Sequence, residues 1–138
     1  MPSIVVDAGP LNALFDRDDR HHHRAVQFVR NSRSRLITNL PVLTEATFLL
    51  RFSVEAQHDL LVWVHHLWKL IRGTTNDLPR IAVLLTKYRD MPADFADASL
   101  VALAERLNLS QVASVDRDLT IYRALGRRPF ENVFLPAE

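Results

Sequence analysis

The chain has 138 residues, 48% hydrophobic and 24% charged, which suits one soluble domain, spanning 1–138, with a true core. It contains no cysteine, so disulfides, thiolate metal sites and cysteine nucleophiles are excluded, and a reducing compartment is expected. The formal net charge of +1 selects no nucleic-acid partner by itself, but Lys69 and Lys87 are the only lysines among 17 basic residues. Arginine grips phosphate in a bidentate fork, although arginine-rich codon usage explains the same excess.

The opening Met-Pro-Ser-Ile-Val-Val-Asp lacks the basic start and long apolar run of a signal peptide. The longest apolar runs, Leu60 to Val64 and Ile81 to Leu85, are too short to cross a bilayer, so a cytoplasmic location without membrane attachment is expected. Ile4 to Val6 reads as a buried strand stopped by Asp7-Ala8-Gly9-Pro10. A short helix is expected over Leu11 to Phe15, and a second over His22 to Asn31, capped by Asp18 or Asp19. Leu36 to Thr38 is a candidate strand. Pro41 suits the first turn of a helix reaching about Phe52. Another helix is expected over Val54 to His66, and Trp68 to Ile71 is either its continuation or an edge strand.

Gly73 and Thr74-Thr75-Asn76 break the chain before an expected helix over Leu78 to Tyr88. Asp94 is placed to cap a helix over Phe95 to Leu107 by accepting the backbone N–H of Asp97. Gln111 to Val115 reads as a second buried strand ending at Asp116. A helix over Leu119 to Leu125 and a strand over Asn132 to Leu135 complete the pattern. Strands alternating with helices imply an α/β fold with a mainly parallel sheet.

Four acids stand out against this pattern. Asp7 and Asp116 each follow a buried strand, the place where open α/β sheets bind ligands. Each could equally start a turn or cap the next helix. On a wheel of residues 42 to 53, Val42, Ala46, Leu49 and Phe52 share a face, and Glu45 falls on that apolar stripe. A free carboxylate there is costly, so it needs either a cation or an arginine partner. Asp97 flanks the apolar face Ala96, Leu100, Leu103, Ala104 and Leu107, while Ser99, Glu105 and Arg106 occupy the far side. Its place in the first helical turn also suits the helix dipole. Carboxylates crowded together repel, and a hard divalent cation such as Mg²⁺ or Mn²⁺ removes that penalty. Such cations serve phosphoryl chemistry, so a metal-dependent phosphodiesterase is the expectation from the residues alone.

His21-His22-His23 point about 100° apart on a helix and cannot close on one metal, so a solvated helix start is expected. His58, His65 and His66 flank apolar positions and are read as structural. Trp63 and Trp68 favour a core or subunit interface. Arg30, Arg33, Arg35 and Arg117, Arg123, Arg127, Arg128 are candidate RNA contacts, or ordinary surface charge.

Ile4-Val-Val-Asp-Ala-Gly-Pro-Leu-Asn-Ala-Leu-Phe resembles the opening of the PIN-domain family, in particular the VapC-type toxins of toxin–antitoxin pairs. Leu43-Thr-Glu-Ala-Thr-Phe-Leu-Leu, Asp94-Phe-Ala-Asp-Ala-Ser-Leu-Val-Ala-Leu-Ala-Glu-Arg-Leu and Ala113-Ser-Val-Asp-Arg-Asp-Leu-Thr-Ile-Tyr-Arg resemble its later motifs. The resemblance implies a three-layer α/β/α sandwich around a central, mainly parallel sheet. It implies Mg²⁺, with Mn²⁺ a substitute, bound by Asp7 and Asp97, with Glu45 and Asp116 completing the catalytic set. It implies endonucleolytic RNA hydrolysis by metal-activated water, leaving a 5′-phosphate and a 3′-hydroxyl. A cognate antitoxin covering the acidic groove and a homodimer are implied as well. Asp94 gains a supporting role, Ser114 stands where threonine is usual, and Asp116 matches the fourth acid better than Asp118. Competing expectations are a histidine-driven ribonuclease without metal, a stand-alone RNA-processing nuclease, and a PIN-like module that only binds RNA or protein. A signalling receiver domain is disfavoured, because neither Lys69 nor Lys87 lies near a late strand.

Overall fold

The computed structural model describes residues 2–67, 69–91, 94–116, 119, 123–124 and 128–136, with the backbone alone at 67, 69–70, 123–124 and 128. The central strand β1 (Ser3–Val6) carries Ile4, Val5 and Val6, all buried. A strand buried on consecutive residues is covered on both faces. β1 pairs in parallel with β2 (Arg35–Thr38) on one side and with β4 (Gln111–Ala113) on the other. β3 (Lys69–Leu70) extends the sheet beyond β2, and β7 (Glu131–Asn132) extends it beyond β4. The order is β3-β2-β1-β4-β7, parallel throughout. A separate antiparallel pair joins β5 (Arg123–Ala124) and β6 (Arg128–Pro129).

Six helices complete the described chain: α1 (Ala8–Phe15), α2 (His22–Asn31), α3 (Leu40–Leu49), α4 (Val54–Leu67), α5 (Thr74–Lys87) and α6 (Phe95–Arg106). Right-handed crossovers put α1 to α4 on one face and α5 and α6 on the other, which gives the expected α/β/α sandwich. The chain leaves β1 toward β2, whereas β4 leads away to β7. The sheet's switch point therefore lies between the C-terminal ends of β1 and β4, where such sheets open a crevice. No helix among the described residues is long and apolar enough to cross a membrane.

Several boundaries differ from those expected. Helix α1 begins at Ala8, because Asp7 caps it. Neither Asp18 nor Asp19 caps α2. Its N-cap is His21, whose N–H donates to Asp19 Oδ1 at 2.8 Å. Helix α3 ends at Leu49, so Phe52 lies beyond it and is 63% exposed. Residues 69–70 form the edge strand rather than a helix continuation, and Trp68 lies outside the described residues. Helix α5 starts at Thr74, with Pro79 inside it, because Gly73 at φ 104° makes the turn that a side chain would resist.

Strand β4 stops at Ala113, short of Val115. The helix expected over 119–125 meets strand at Arg123–Ala124, and its residues 120–122 and 125 lie outside the described residues. The last strand covers Glu131–Asn132, and the chain bends over 133–135. His58, His65 and His66 are exposed rather than structural, while Trp63 packs edge-on against Phe15 with ring centroids 5.8 Å apart.

Candidate metal centre

Asp7 sits at the switch point, directly after β1. Its backbone N–H donates to Ala113 O at 2.9 Å, continuing the β1–β4 ladder by one rung. Its side chain then turns to cap α1: Oδ1 accepts the Ala8 N–H at 2.8 Å, and Oδ2 accepts the Ser114 hydroxyl at 3.1 Å. The cap and the site position are thus one feature, not alternatives. Two buried hydrogen bonds bring the other elements to this point. Thr38 Oγ1 donates to Val6 O at 3.0 Å, tying the end of β2 beside Asp7. Asn39 caps α3 by accepting the Val42 N–H at 3.1 Å, and its amide donates to Ser99 Oγ of α6 at 3.1 Å. Ser99 in turn donates to Ala96 O at 2.7 Å. The starts of α3 and α6 are therefore bolted together, with Glu45 in the second turn of α3 and Asp97 in the first turn of α6.

The result is a cluster in which one carboxylate oxygen from each of Asp7, Glu45 and Asp97 lies within 4.8 Å of the others. Burial, helped by the charges of Asp94 and Asp116, holds the Asp7 carboxyl above its usual range, against the hydrogen bonds from Ala8 and Ser114, which pull it down. Burial, followed by the charges of Asp94 and Asp7, pushes Glu45 to about 7. Burial, followed by the charges of Asp7 and Asp94, pushes Asp97 to about 8. Among the described residues no arginine or lysine forms an ion pair with any of the three. The ion-pair alternative for Glu45 therefore finds no support, and its Oε2 is buried without a hydrogen-bond partner. An orphaned buried oxygen, beside two more carboxylates that resist ionising, is the donor set that a hard divalent cation satisfies. The residues present fit such an ion.

The other two acids stand apart from this cluster. Asp94 is exposed and forms a capping box with Asp97: its Oδ1 accepts the Asp97 N–H at 2.9 Å, and its own N–H donates to Asp97 Oδ2 at 3.4 Å. Asp116 is exposed and lies beyond Ser114 and Val115 rather than directly at the end of β4. Its charge reaches Asp7, and its N–H donates to Ser114 Oγ at 3.0 Å, but it lies outside the cluster of three.

The buried face of α3 is Val42, Leu43, Ala46 and Leu50, while Leu49 is 39% exposed, so Glu45 stands at the rim of the core and not on an apolar stripe. Ser99 is fully buried, and the far side of α6 is covered by α5: Arg80 meets Glu105 at 2.8 Å and Arg106 meets Asp77 at 3.0 Å. Arg35 pairs with Ser3 at the start of β1, so Arg30, Arg33 and Arg35 lie toward the end of the sheet opposite Asp7. Arg117 and Arg127 lie outside the described residues, as do the side chains of Arg123 and Arg128. Sequence reasoning missed Thr38, Asn39 and Ser99. The Asn39-Leu40-Pro41 run, a capping residue just ahead of a proline, was the signal for Asn39.

A parallel α/β/α domain with clustered acids at its switch point belongs to the class of α/β proteins whose strand ends can hold a hard cation. The PIN domain family model matches residues 4–125, and the chain belongs to that family. Ribonuclease VapC26 of Mycobacterium tuberculosis (strain ATCC 25618 / H37Rv) is 26% identical over 117 residues, spanning 83% of this chain and 87% of that protein. The crystal structure of Mycobacterium tuberculosis VapC20, a sarcin-ricin loop cleaving toxin, superposes with a TM-score of 0.80 at 20% identity. That match covers 91% of this chain and 99% of the other, and it carries the fold.

Proposed function

We propose that this chain is a single-domain, Mg²⁺-dependent endoribonuclease, with Mn²⁺ a working substitute, and the toxin of a cytoplasmic toxin–antitoxin pair. One observation carries the reading: within a PIN domain, the oxygens of Asp7, Glu45 and Asp97 converge within 4.8 Å, with no Arg or Lys among the described residues paired to them. The all-oxygen donor set favours Mg²⁺ or Mn²⁺ over softer metals. Asp7 and Asp97 would hold the ion directly, and Glu45 and Asp116 would complete the site. When bound, the cation supplies charge neutralisation at the phosphate and acidifies water.

The chain's own groups do the rest. The Ser114 hydroxyl keeps Asp7 Oδ2 engaged, and the Ala8 N–H holds Oδ1, so Asp7 cannot swing away. Glu45, at the edge of the cluster, would offer a carboxylate oxygen to accept the proton lost by the attacking water. The products are a 5′-phosphate and a 3′-hydroxyl. The names of the two relatives support RNA as substrate and an antitoxin as partner. A cleft of about 690 Å³ beside Glu45 and Asp94, lined by Leu40, Pro41, Phe48 and Phe95, leaves apolar surface exposed, in keeping with a homodimer.

Purified protein, free of antitoxin, is to be incubated with total RNA in Mg²⁺, in Mn²⁺ and in excess EDTA. Cleavage in either metal and none in EDTA is expected. Undiminished cleavage in EDTA would sink the mechanism in favour of metal-free histidine chemistry.

A further inference from the structure

Asn132 carries a constellation that none of the four motifs contains. In the parallel ladder between β4 and β7, Glu131 N–H donates to Ser110 O and Val133 N–H donates to Val112 O, each at 2.8 Å. The next rung would join Ser114 to residues 133 and 135. It does not form, because the chain bends over 133–135. The Asn132 side chain takes its place. Its Nδ2 donates to Ser114 O at 3.1 Å, and its Oδ1 accepts the Ser114 N–H at 3.4 Å. The same Oδ1 accepts the N–H groups of Phe134 at 3.0 Å and Leu135 at 3.4 Å, which fixes the bend. Phe134 is buried and packs edge-on against Phe28, with centroids 5.5 Å apart, so the bend is anchored in the core.

Only a primary amide offers a donor and an acceptor side by side, so neither aspartate nor an apolar residue can replace this rung. Both backbone polar groups of Ser114 are held by one side chain. Ser114 is itself fully buried, and its hydroxyl donates to Asp7 Oδ2 while accepting the Asp116 N–H. We propose that Asn132 is a positioning residue of the metal centre. It acts through Ser114 to fix the direction of Asp7 Oδ2 and to place Asp116 over the crevice. The proposal rests on the metal-dependent reading given above.

The test is a double-mutant cycle between Asn132→Ala and Ser114→Ala, read as the dissociation constant for Mn²⁺ from electron paramagnetic resonance of the free ion, with no RNA present. Cleavage rates and melting temperatures in EDTA are measured alongside. Outer partners of a metal ligand typically change affinity 10- to 100-fold, so Asn132→Ala is expected to weaken Mn²⁺ binding about tenfold, with a parallel loss of kcat. In the Ser114→Ala background it adds less than about twofold, because the coupling runs through Ser114. If Asn132→Ala fails to fold, Asn132→Ser is measured in its place, since its hydroxyl can accept the Phe134 N–H without adding charge and does not supply the paired amide contacts to Ser114. Independent, multiplying effects of the two substitutions overturn the proposal. So does a lowered melting temperature with Mn²⁺ affinity unchanged, since Asn132 then only fastens β7. A wild-type protein that binds no Mn²⁺ overturns the metal reading itself and is distinguishable from both.

Discussion

At its C-terminal end, α6 sets Glu105, whose side chain is 5% exposed, against Arg80 at 2.8 Å, and sets Arg106 against the buried Asp77 of α5 at 3.0 Å. At its N-terminal end the same helix places Asp97 against Asp7 and Glu45, with no cation of the chain in reach among the described residues. One end neutralises its buried charge from within and fastens two helices. The other concentrates like charge and holds it partly protonated. The folded chain is able to pair a buried carboxylate, and among the described residues it leaves this cluster unpaired; on the metal reading proposed above, the missing charge comes from outside.

The largest expected effect comes from Asp97→Asn. Even outer partners of metal ligands are worth 10- to 100-fold, so loss of a direct ligand is expected to cut RNA cleavage by more than about 100-fold. The same variant should melt higher than wild type in EDTA at pH 8, because it removes one member of a repelling set. A variant that loses activity and stability together would erase the contrast between the two ends.

Arg106→Ala is the matching change at the paired end. It leaves Asp77, 8% exposed, without its guanidinium. A loss of about 2–3 kcal/mol in urea unfolding is expected, short of the full penalty for a buried pair because Arg106 is a third exposed. Cleavage per folded molecule should hold at low temperature.

The smallest effect is in pH. Unfolded Asp and Glu titrate near 4, whereas folded Glu45 and Asp97 titrate at about 7 and about 8. The folded state thus binds more protons across that window, and metal-free stability falls as pH rises from about 4 to about 8. Melting temperatures in EDTA should decline by a few degrees from pH 5 to pH 8.5, and Mn²⁺ should recover more of the loss at the higher pH. A flat profile would mean that the cluster is already neutralised within the chain.

Much of this was legible before the structure. The β-branched run into Asp7 and the Asp94–Asp97 cap follow from local rules and appear where they were read, and the alternation of strands and helices holds as far as β4. Glu45 shows how a residue that joins the cluster can be picked for a wrong reason. The wheel put it beside Leu49 and Phe52, yet both are exposed, because α3 ends at Leu49 and turns its Val42–Ala46–Leu50 side inward. Helical periodicity reports that a face is apolar but not which element covers it. The same limit hid α5 behind Glu105 and Arg106, and the cap of α3 behind Ser99, all of which look like a solvent face in sequence. It also left the arginines of 30–35 without an address, since strand direction alone places them at the far end of the sheet.

The sequence by itself determined most of the elements, the Asp94 cap and the identity of the candidate acids, because these depend on neighbours a few residues away. Only the tertiary structure decided which acids meet. The strand order placed Asp7 at the switch point, and the Asn39–Ser99 bridge, across 60 residues, brought Glu45 to Asp97. It left Asp94 and Asp116 outside that cluster of three and gave Asn132 its place behind Ser114. Convergence is a property of long-range packing, and no local pattern encodes it.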